Sequence, residues 1–501
     1  MDARAAYAEL LRRYAEVRDL GSVAALLSWD QETMLPRKGA AARGQQLATL
    51  AGLRHERFTD PRIGALLAEC RAGSGAFDEL QKAQIRELTT DFDRATKLPK
   101  ELVEQFAAAE SAALEAWRDA RAKSDWKAFA PHLSRLLELL RRKCDVLGFG
   151  ERRYDGLLDD YEKGATEAAL VTLFAELRAR LAPLVGEVLE RAARVDARCM
   201  KGSFSIGQQE QFADVIVRAM GFDLEGGRID RSSHPFCSGI ADGDVRLTRR
   251  FVEDDLRPAL YGVIHEAGHG LYEQGIDPEL TRTPLGEACS LGIHESQSRL
   301  WENVVGRSLP FWRAFAPAAA RLFPSLQGVA PEQLWRATNQ VERSLIRVEA
   351  DELTYNLHIV VRFEIERALV RGDLAVADVP AAWNGQMQEL LGLVPGDDAS
   401  GCLQDIHWSM GALGYFPTYT LGNLYAAQLW ETAQRELPGL DGAIERGELL
   451  PLRDWLRRKV HVHGRRFPAA ELVERATGAP PSAEPFLRYL RTKLTAVYAL
   501  P

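Results

Sequence analysis

The chain has 501 residues, enough for one large domain or two to four ordinary ones, with hydrophobic residues at 46% and charged residues at 27%, as in a soluble globular protein. Its net charge of −8 argues against nucleic acid or an anionic membrane as partner, since both call for a concentrated basic face. No apolar run approaches the ~20 residues of a membrane span.

The opening "MDARAAYAELLRRYAEV" reads as a surface helix rather than a signal peptide. Six cysteines lie far apart and fit reduced, mostly buried thiols in a cytoplasmic protein better than a disulfide framework or a zinc–thiolate knot. "AYAELLRRYAEVRDL", "DELQKAQIRELTTDFDRA" and "KELVEQFAAAESAALEAWRDARA" place apolar residues at three- and four-residue steps, the mark of amphipathic helices. "LPKELVEQF" and "APEQLWRAT" set a proline at or just before a helix start. "AFAPHLSRLLELLRRKCDVLGFG" ends on glycine, and "ALVTLFAELRARLAPLVGEVLERAARV" continues the theme.

One stretch breaks it. Residues 222–251, "FDLEGGRIDRSSHPFCSGIADGDVRLTRRF", are rich in Gly and Ser and then alternate through Val245-Arg246-Leu247-Thr248, which predicts a loop and a small β-structure. An edge strand at this place could take a peptide as one more strand. The chain then returns to helix, and "ATGAPPSAEPF" reads as a loop inside the last helical region, not a domain boundary. The expected fold is mainly α, in a single domain over 1–501 with a first helical part, residues 1–200, and a second part, residues 201–501.

Between loop and helix return lies "GVIHEAGHGLYEQG", residues 262–275. Residues four apart on a helix share a face, so His265 and His269 can direct two imidazole nitrogens at one ion, with Glu266 beside them to accept a proton from a metal-bound water. The alternative, two ordinary surface histidines matching by chance, is disfavoured by the helical context. Gly268 and Gly270 are poor helix formers, which predicts a close approach by some other element. A catalytic zinc needs a third protein ligand and an open position. Glu287 and Glu295 compete for it, both expected on one following helix. Geometry alone does not choose. His294 and Ser296 give Glu295 polar neighbours, while Glu287 can be read as an acid in the first helical turn after Pro284.

Taken together, the His265–His269 motif, "HES" at 294–296, "HPF" at 234–236, "DVRLT" at 244–248, "IRVEAD" at 346–351 and "GCLQDIHW" at 401–408 resemble the zinc metallocarboxypeptidase family named after carboxypeptidase Taq. The likeness spans nearly the whole chain. It implies a helical fold related to angiotensin-converting and neurolysin-like peptidases with a deep groove, a homodimer, and zinc or cobalt as the ion. It also implies stepwise removal of C-terminal residues from peptides, with broad side-chain preference. It assigns His265, His269 and Glu295 to the metal and Glu266 to the base. His407, Tyr415 and Tyr419 become candidate donors to the oxyanion, the tyrosines weighed against simple packing. Arg347 and Arg246 become candidates for the substrate's terminal carboxylate, or else arginines paired with the nearby Asp244, Glu349 and Asp351. His234 is expected to brace a loop or touch substrate, and His294 to orient Glu295 or touch substrate. Asp405, with Gln404, is expected to orient His407, and Trp29-Asp30-Gln31 to make a structural contact. The competing functions are a zinc endo-oligopeptidase and a non-catalytic, metal-stabilised helical binding protein.

Overall fold

The computed structural model describes residues 2–500 and consists of helices and one small sheet, as the periodicity predicts. Its residues sort into two compact units. One holds the chain up to Thr96 with Ala197–Thr338 and Leu429–Pro480; the other holds Lys97–Asp196, Asn339–Gln428 and the segment from Pro481. One crossing thus falls near residue 200, and another falls inside the Pro-rich loop of "ATGAPPSAEPF".

In the first unit, helix α1 (Ala3–Thr33) buries Ala6, Leu10, Tyr14 and Val17, spaced four, four and three apart, against Ile63, Leu66, Leu67 and Leu88. Each such large side chain removed from water contributes about 1.5–3 kcal/mol. Three strands follow, β1 (Gly227–Arg231), β2 (Cys237–Ala241) and β3 (Asp244–Arg249), in the order β1-β3-β2. β3 is central, parallel to β1 and antiparallel to β2, so β2 is an edge. Alternation along β3 buries Val245 and Leu247 on one face and leaves Arg246 on the other. The buried face packs on helix α2 (Leu256–Glu273), which the Asp255 side chain caps by accepting from the Arg257 N–H. Helix α3 (Leu291–Arg299) starts at the Ser290 cap and runs on into a π-helical turn, Leu300–Val305.

In the second unit, Lys100–Lys123 starts after Pro99, and Trp126–Leu147 stops at Gly148, whose φ of +91° suits glycine. Helix α4 (Glu352–Arg371), capped by Asp351, carries Asn356, His358, Arg362 and Glu366 fully buried. Helix α5 (Pro417–Glu436) begins there. Among the described residues no cysteine is in a disulfide, and no helix is long and apolar enough to cross a membrane.

Candidate metal centre

The glycines of the motif answer to close packing on two sides of α2. A Cβ on Gly268 would lie 2.7 Å from the Gln297 carbonyl oxygen and from the Ser298 Cα of α3, and one on Gly270 would lie 2.7 Å from the Phe222 ring and 2.8 Å from Leu247 of β3. Glycine inside a helix costs about 1 kcal/mol against alanine, yet no side chain fits at either place. The motif helix is held between α3 and the sheet.

That contact carries Glu295 to the two histidines. His265 Nε2 and His269 Nε2 are 3.2 Å apart, and Glu295 Oε2 lies 3.7 Å from the first and 3.5 Å from the second. Ligand atoms at 2.0–2.1 Å from a tetrahedral ion stand about 3.3 Å from one another, so the triangle has the size of three corners of such a site. Among the described residues these are the only three groups that converge in this way, leaving the fourth corner without a protein ligand.

Each corner is held from outside. His265 Nδ1 lies 2.9 Å from Glu302 Oε2 in the π-helical turn; the carboxylate can only accept, so Nδ1 carries the proton and Nε2 faces the cluster with a lone pair. Arg299 Nε donates to Glu295 Oε1 at 2.6 Å, which turns Oε2 inward. The Ser298 hydroxyl donates to the Glu295 carbonyl at 2.7 Å and passes 3.2 Å from Oε2. Burial opposes charge on Glu295, but Arg299, His265 and His269 outweigh it and hold the carboxyl well below its usual range. Burial and the neighbouring His294 push His269 down to about 3, so it is neutral. Burial also works against a proton on His265, but Glu295 and Glu302 outweigh it, so in the absence of a cation a proton competes for the same lone pair. Two neutral imidazoles and a carboxylate form the donor set of a catalytic zinc rather than of a closed structural site.

Glu266 follows His265 on the same turn and is buried. Desolvation pushes its carboxyl up to about 7, with Glu295 and Glu302 adding and His265 opposing. A carboxyl near neutrality is suited to accept and return a proton.

Several expectations need correction. Glu287 lies ahead of the Ser290 cap, outside α3, and pairs with Arg18; it shares no helix with Glu295 and serves no helix N-terminus. His294 contacts not Glu295 but His269, Nδ1 to Nδ1 at 2.5 Å, and its Nε2 lies 2.8 Å from Glu273 Oε1. The side chain of His234 is exposed; its carbonyl accepts from the Ser232 hydroxyl, as a loop brace would. Arg246 is paired with Asp244 through two bonds of 2.7 and 2.8 Å, and its guanidinium lies 4.3 Å from the centre of the Trp29 ring. Trp29 therefore makes the structural contact foreseen, with Asp30 bound to Arg43 beside it.

In the second unit, Asp405 does not orient His407. It accepts from Arg347 at 2.8 and 3.0 Å and from Arg362 at 2.7 Å, while Gln404 accepts from the Arg347 backbone N–H and from Arg362. Two guanidiniums beside one carboxylate outweigh its burial and hold it below the usual range. Neither Glu349 nor Asp351 is the partner of Arg347; Asp351 is spent on the α4 cap, while Arg347 also donates to the Tyr355 hydroxyl at 2.8 Å and its guanidinium lies 5.1 Å from the centre of the Tyr419 ring. His407 Nε2 faces the Tyr419 hydroxyl at 3.4 Å, and its Nδ1 is buried without a partner. Burial pushes His407 down to about 4, and Arg347 and Arg362 add to this against Asp405. The Tyr415 ring packs on His407 and Tyr419, with centres 5.0 and 5.4 Å away. Glu366 accepts from Tyr154, Trp408 and the Gly414 N–H, each at 2.9 Å, and so pins both ends of the stretch 408–414 that directly follows His407.

Glu302 and Glu273 were missed from the sequence. Their only signal there is spacing: Glu302 is seven residues beyond Glu295, and Glu273 is four beyond His269.

The family model described as carboxypeptidase Taq (M32) metallopeptidase matches residues 9–494. Thermostable carboxypeptidase 1 of Thermus thermophilus is 46% identical over 99% of this chain and all of that one. Carboxypeptidase 1 of Bacillus subtilis is 36% identical over 98% of both. The crystal structure of the M32 carboxypeptidase from Deinococcus radiodurans superposes with a TM-score of 0.96 at 40% identity, covering 99% of this chain and 100% of that one.

Proposed function

The chain belongs to the carboxypeptidase Taq (M32) family of metallopeptidases and is a metallocarboxypeptidase, and we propose that it works with zinc held by His265, His269 and Glu295 and with Glu266 as general base. The observation that supports this most directly is the inward triangle of two imidazole nitrogens and one carboxylate oxygen at tetrahedral spacing. The ion, when bound, supplies Lewis acidity to the scissile carbonyl and lowers the pKa of water at the open corner.

Glu266 accepts the proton of the attacking water and returns it to the leaving amine. His407, Tyr415 and Tyr419 are proposed, on the family resemblance, to donate to the oxyanion; a neutral His407 can do so only through a ring N–H. Arg347 and Arg246 are proposed to hold the terminal carboxylate. An arginine has five N–H donors, and Asp244 takes up only two sides of Arg246, so donors remain. His234 is proposed as a further substrate contact. Substrates are then peptides with a free C-terminus. Zinc is the proposed native ion, with cobalt as a substitute, and the chain is proposed to act in the cytoplasm as a homodimer, on the resemblance alone.

The test is product analysis on a mixed peptide set, with and without chelator. A ladder losing one residue at a time from the carboxyl end, abolished by chelator, is expected; internal fragments would defeat the reading.

A further inference from the structure

Glu273 ends α2 one turn beyond His269 and two beyond His265, so the three side chains form a stripe at four-residue steps. Between Glu273 and His269 stands His294, with Nε2 2.8 Å from Glu273 Oε1 and Nδ1 2.5 Å from His269 Nδ1. A carboxylate accepts and cannot give, so a neutral His294 spends its one N–H, on Nε2, on Glu273 and keeps a lone pair on Nδ1. His269 must then donate from Nδ1, and its Nε2 is left bare toward His265 and Glu295. Reverse the chain and the proton on His269 moves to Nε2, where it blocks the cluster.

We propose that Glu273 is a positioning residue which, through His294, fixes His269 in its metal-binding tautomer, the part that Glu302 takes directly for His265. This rests on the metal reading of the cluster. The chain is built from two further sides. The His294 ring lies 4.4 Å from that of His269 and 5.4 Å from that of Tyr272, centre to centre, which holds its plane. The edge strand β2 is bare opposite the carboxylate: a Cβ on Gly239 would come within 2.4 Å of Glu273 Oε2. The structure thus keeps space for Glu273 where any other residue would displace it.

The experiment is Zn2+ affinity of the full chain by chelator competition, with the visible spectrum of the Co2+ form as a second readout. Glu273→Ala is expected to weaken Kd by roughly 10- to 100-fold, the range for outer partners of metal histidines, and to alter the Co2+ band. His294→Phe loses a similar factor, and the double variant loses no more than either single one, since both break the same chain. Glu273→Gln, whose amide oxygen still accepts from His294, recovers most of the affinity. Gly239→Ala displaces only the tip of a flexible side chain, so it folds normally and still weakens binding. Wild-type Kd in Glu273→Ala, or losses that multiply in the double variant, overturn the proposal. Should Glu273→Ala fail to fold, wild-type Kd in both His294→Phe and Gly239→Ala overturns it instead. His265→Ala serves as the separate control: if it binds Zn2+ like the wild type, the metal reading itself is wrong.

Discussion

Arg299 Nε lies 2.6 Å from Glu295 Oε1, the oxygen that points away from His265 and His269, and Arg299 Nη1 also reaches Glu302 Oε2 at 3.2 Å. One guanidinium therefore orients the third ligand and neutralises the carboxylate behind the first.

Replacing Arg299 by Met leaves the buried Glu295 short of its guanidinium, while Glu302 keeps Arg307 at 3.1 Å. Breaking a buried ion pair by removing one partner costs about 3–5 kcal/mol, so the metal-free chain should melt at a distinctly lower temperature. Zn2+ should also bind at least tenfold more weakly. Calorimetric melting and chelator competition check the two effects; an unchanged Kd would show that Glu295 needs no outer partner.

Glu266→Gln keeps shape and removes the base. The bound metal, measured by atomic emission, should stay at one per chain, while kcat falls roughly 10²- to 10⁴-fold, the usual worth of a positioned general base. Turnover at the wild-type rate would remove Glu266 from the mechanism.

A peptide whose C-terminus is blocked as the amide offers no carboxylate for Arg347 or Arg246. Its hydrolysis should drop to a small fraction of that of the free acid, chiefly through KM, because a charge-assisted contact is lost at binding. Equal rates on both peptides would speak for internal cleavage.

Gly268→Ala sets a methyl group against the α3 backbone. The gain in helix propensity is about 1 kcal/mol, while overpacking costs about 1–3 kcal/mol, so a modest net loss of stability is expected with a clearer loss of Zn2+ affinity as Glu295 moves. Melting and metal competition on the same preparation separate the two.

In the second unit, burial raises the Glu366 carboxyl to about 7 against the pull of its three donors. The native pKa lies above the unfolded one, so the proton favours the folded state below about pH 4.5, and this contribution fades as pH climbs through 7. The span corresponds to about 3 kcal/mol. Glu366→Gln should remove that slope: urea unfolding at pH 5 and pH 8 should show the variant gaining on the wild type by about this amount at the higher pH. Parallel profiles would place the pKa of Glu366 near its ordinary value.

The motif helix, the mainly α architecture and the small sheet were legible because each is a local pattern: four-residue spacing for His265 and His269, alternation around Val245 and Leu247. The demand of Gly268 and Gly270 for close neighbours was legible too, though not which neighbours. The third ligand was harder. Glu287 and Glu295 differ by where α3 begins, which the Ser290 cap decides, and a serine among "EACSLG" is a faint signal. Asp405 was assigned to His407 because they are close in sequence; in space Arg347 and Arg362 reach it first, and two long side chains from distant segments leave no periodic trace. Glu273 and Glu302 escaped for the same reason: their partners are histidine edges on another turn or another helix.

The meeting of α2 and α3 at Gly268 works as a caliper whose jaws are main chain. With edges of 3.2, 3.7 and 3.5 Å, the opening suits a small tetrahedral ion, whereas calcium calls for about six to eight oxygen ligands and would meet here two imidazole nitrogens and a single carboxylate. To move Glu295 relative to the histidines, two helices already too close to admit a methyl group would have to slide past each other while Arg299 and Glu302 kept their grip. The spacing of the third donor from the two histidines is in that sense a property of the main chain, set by a residue with no side chain at all.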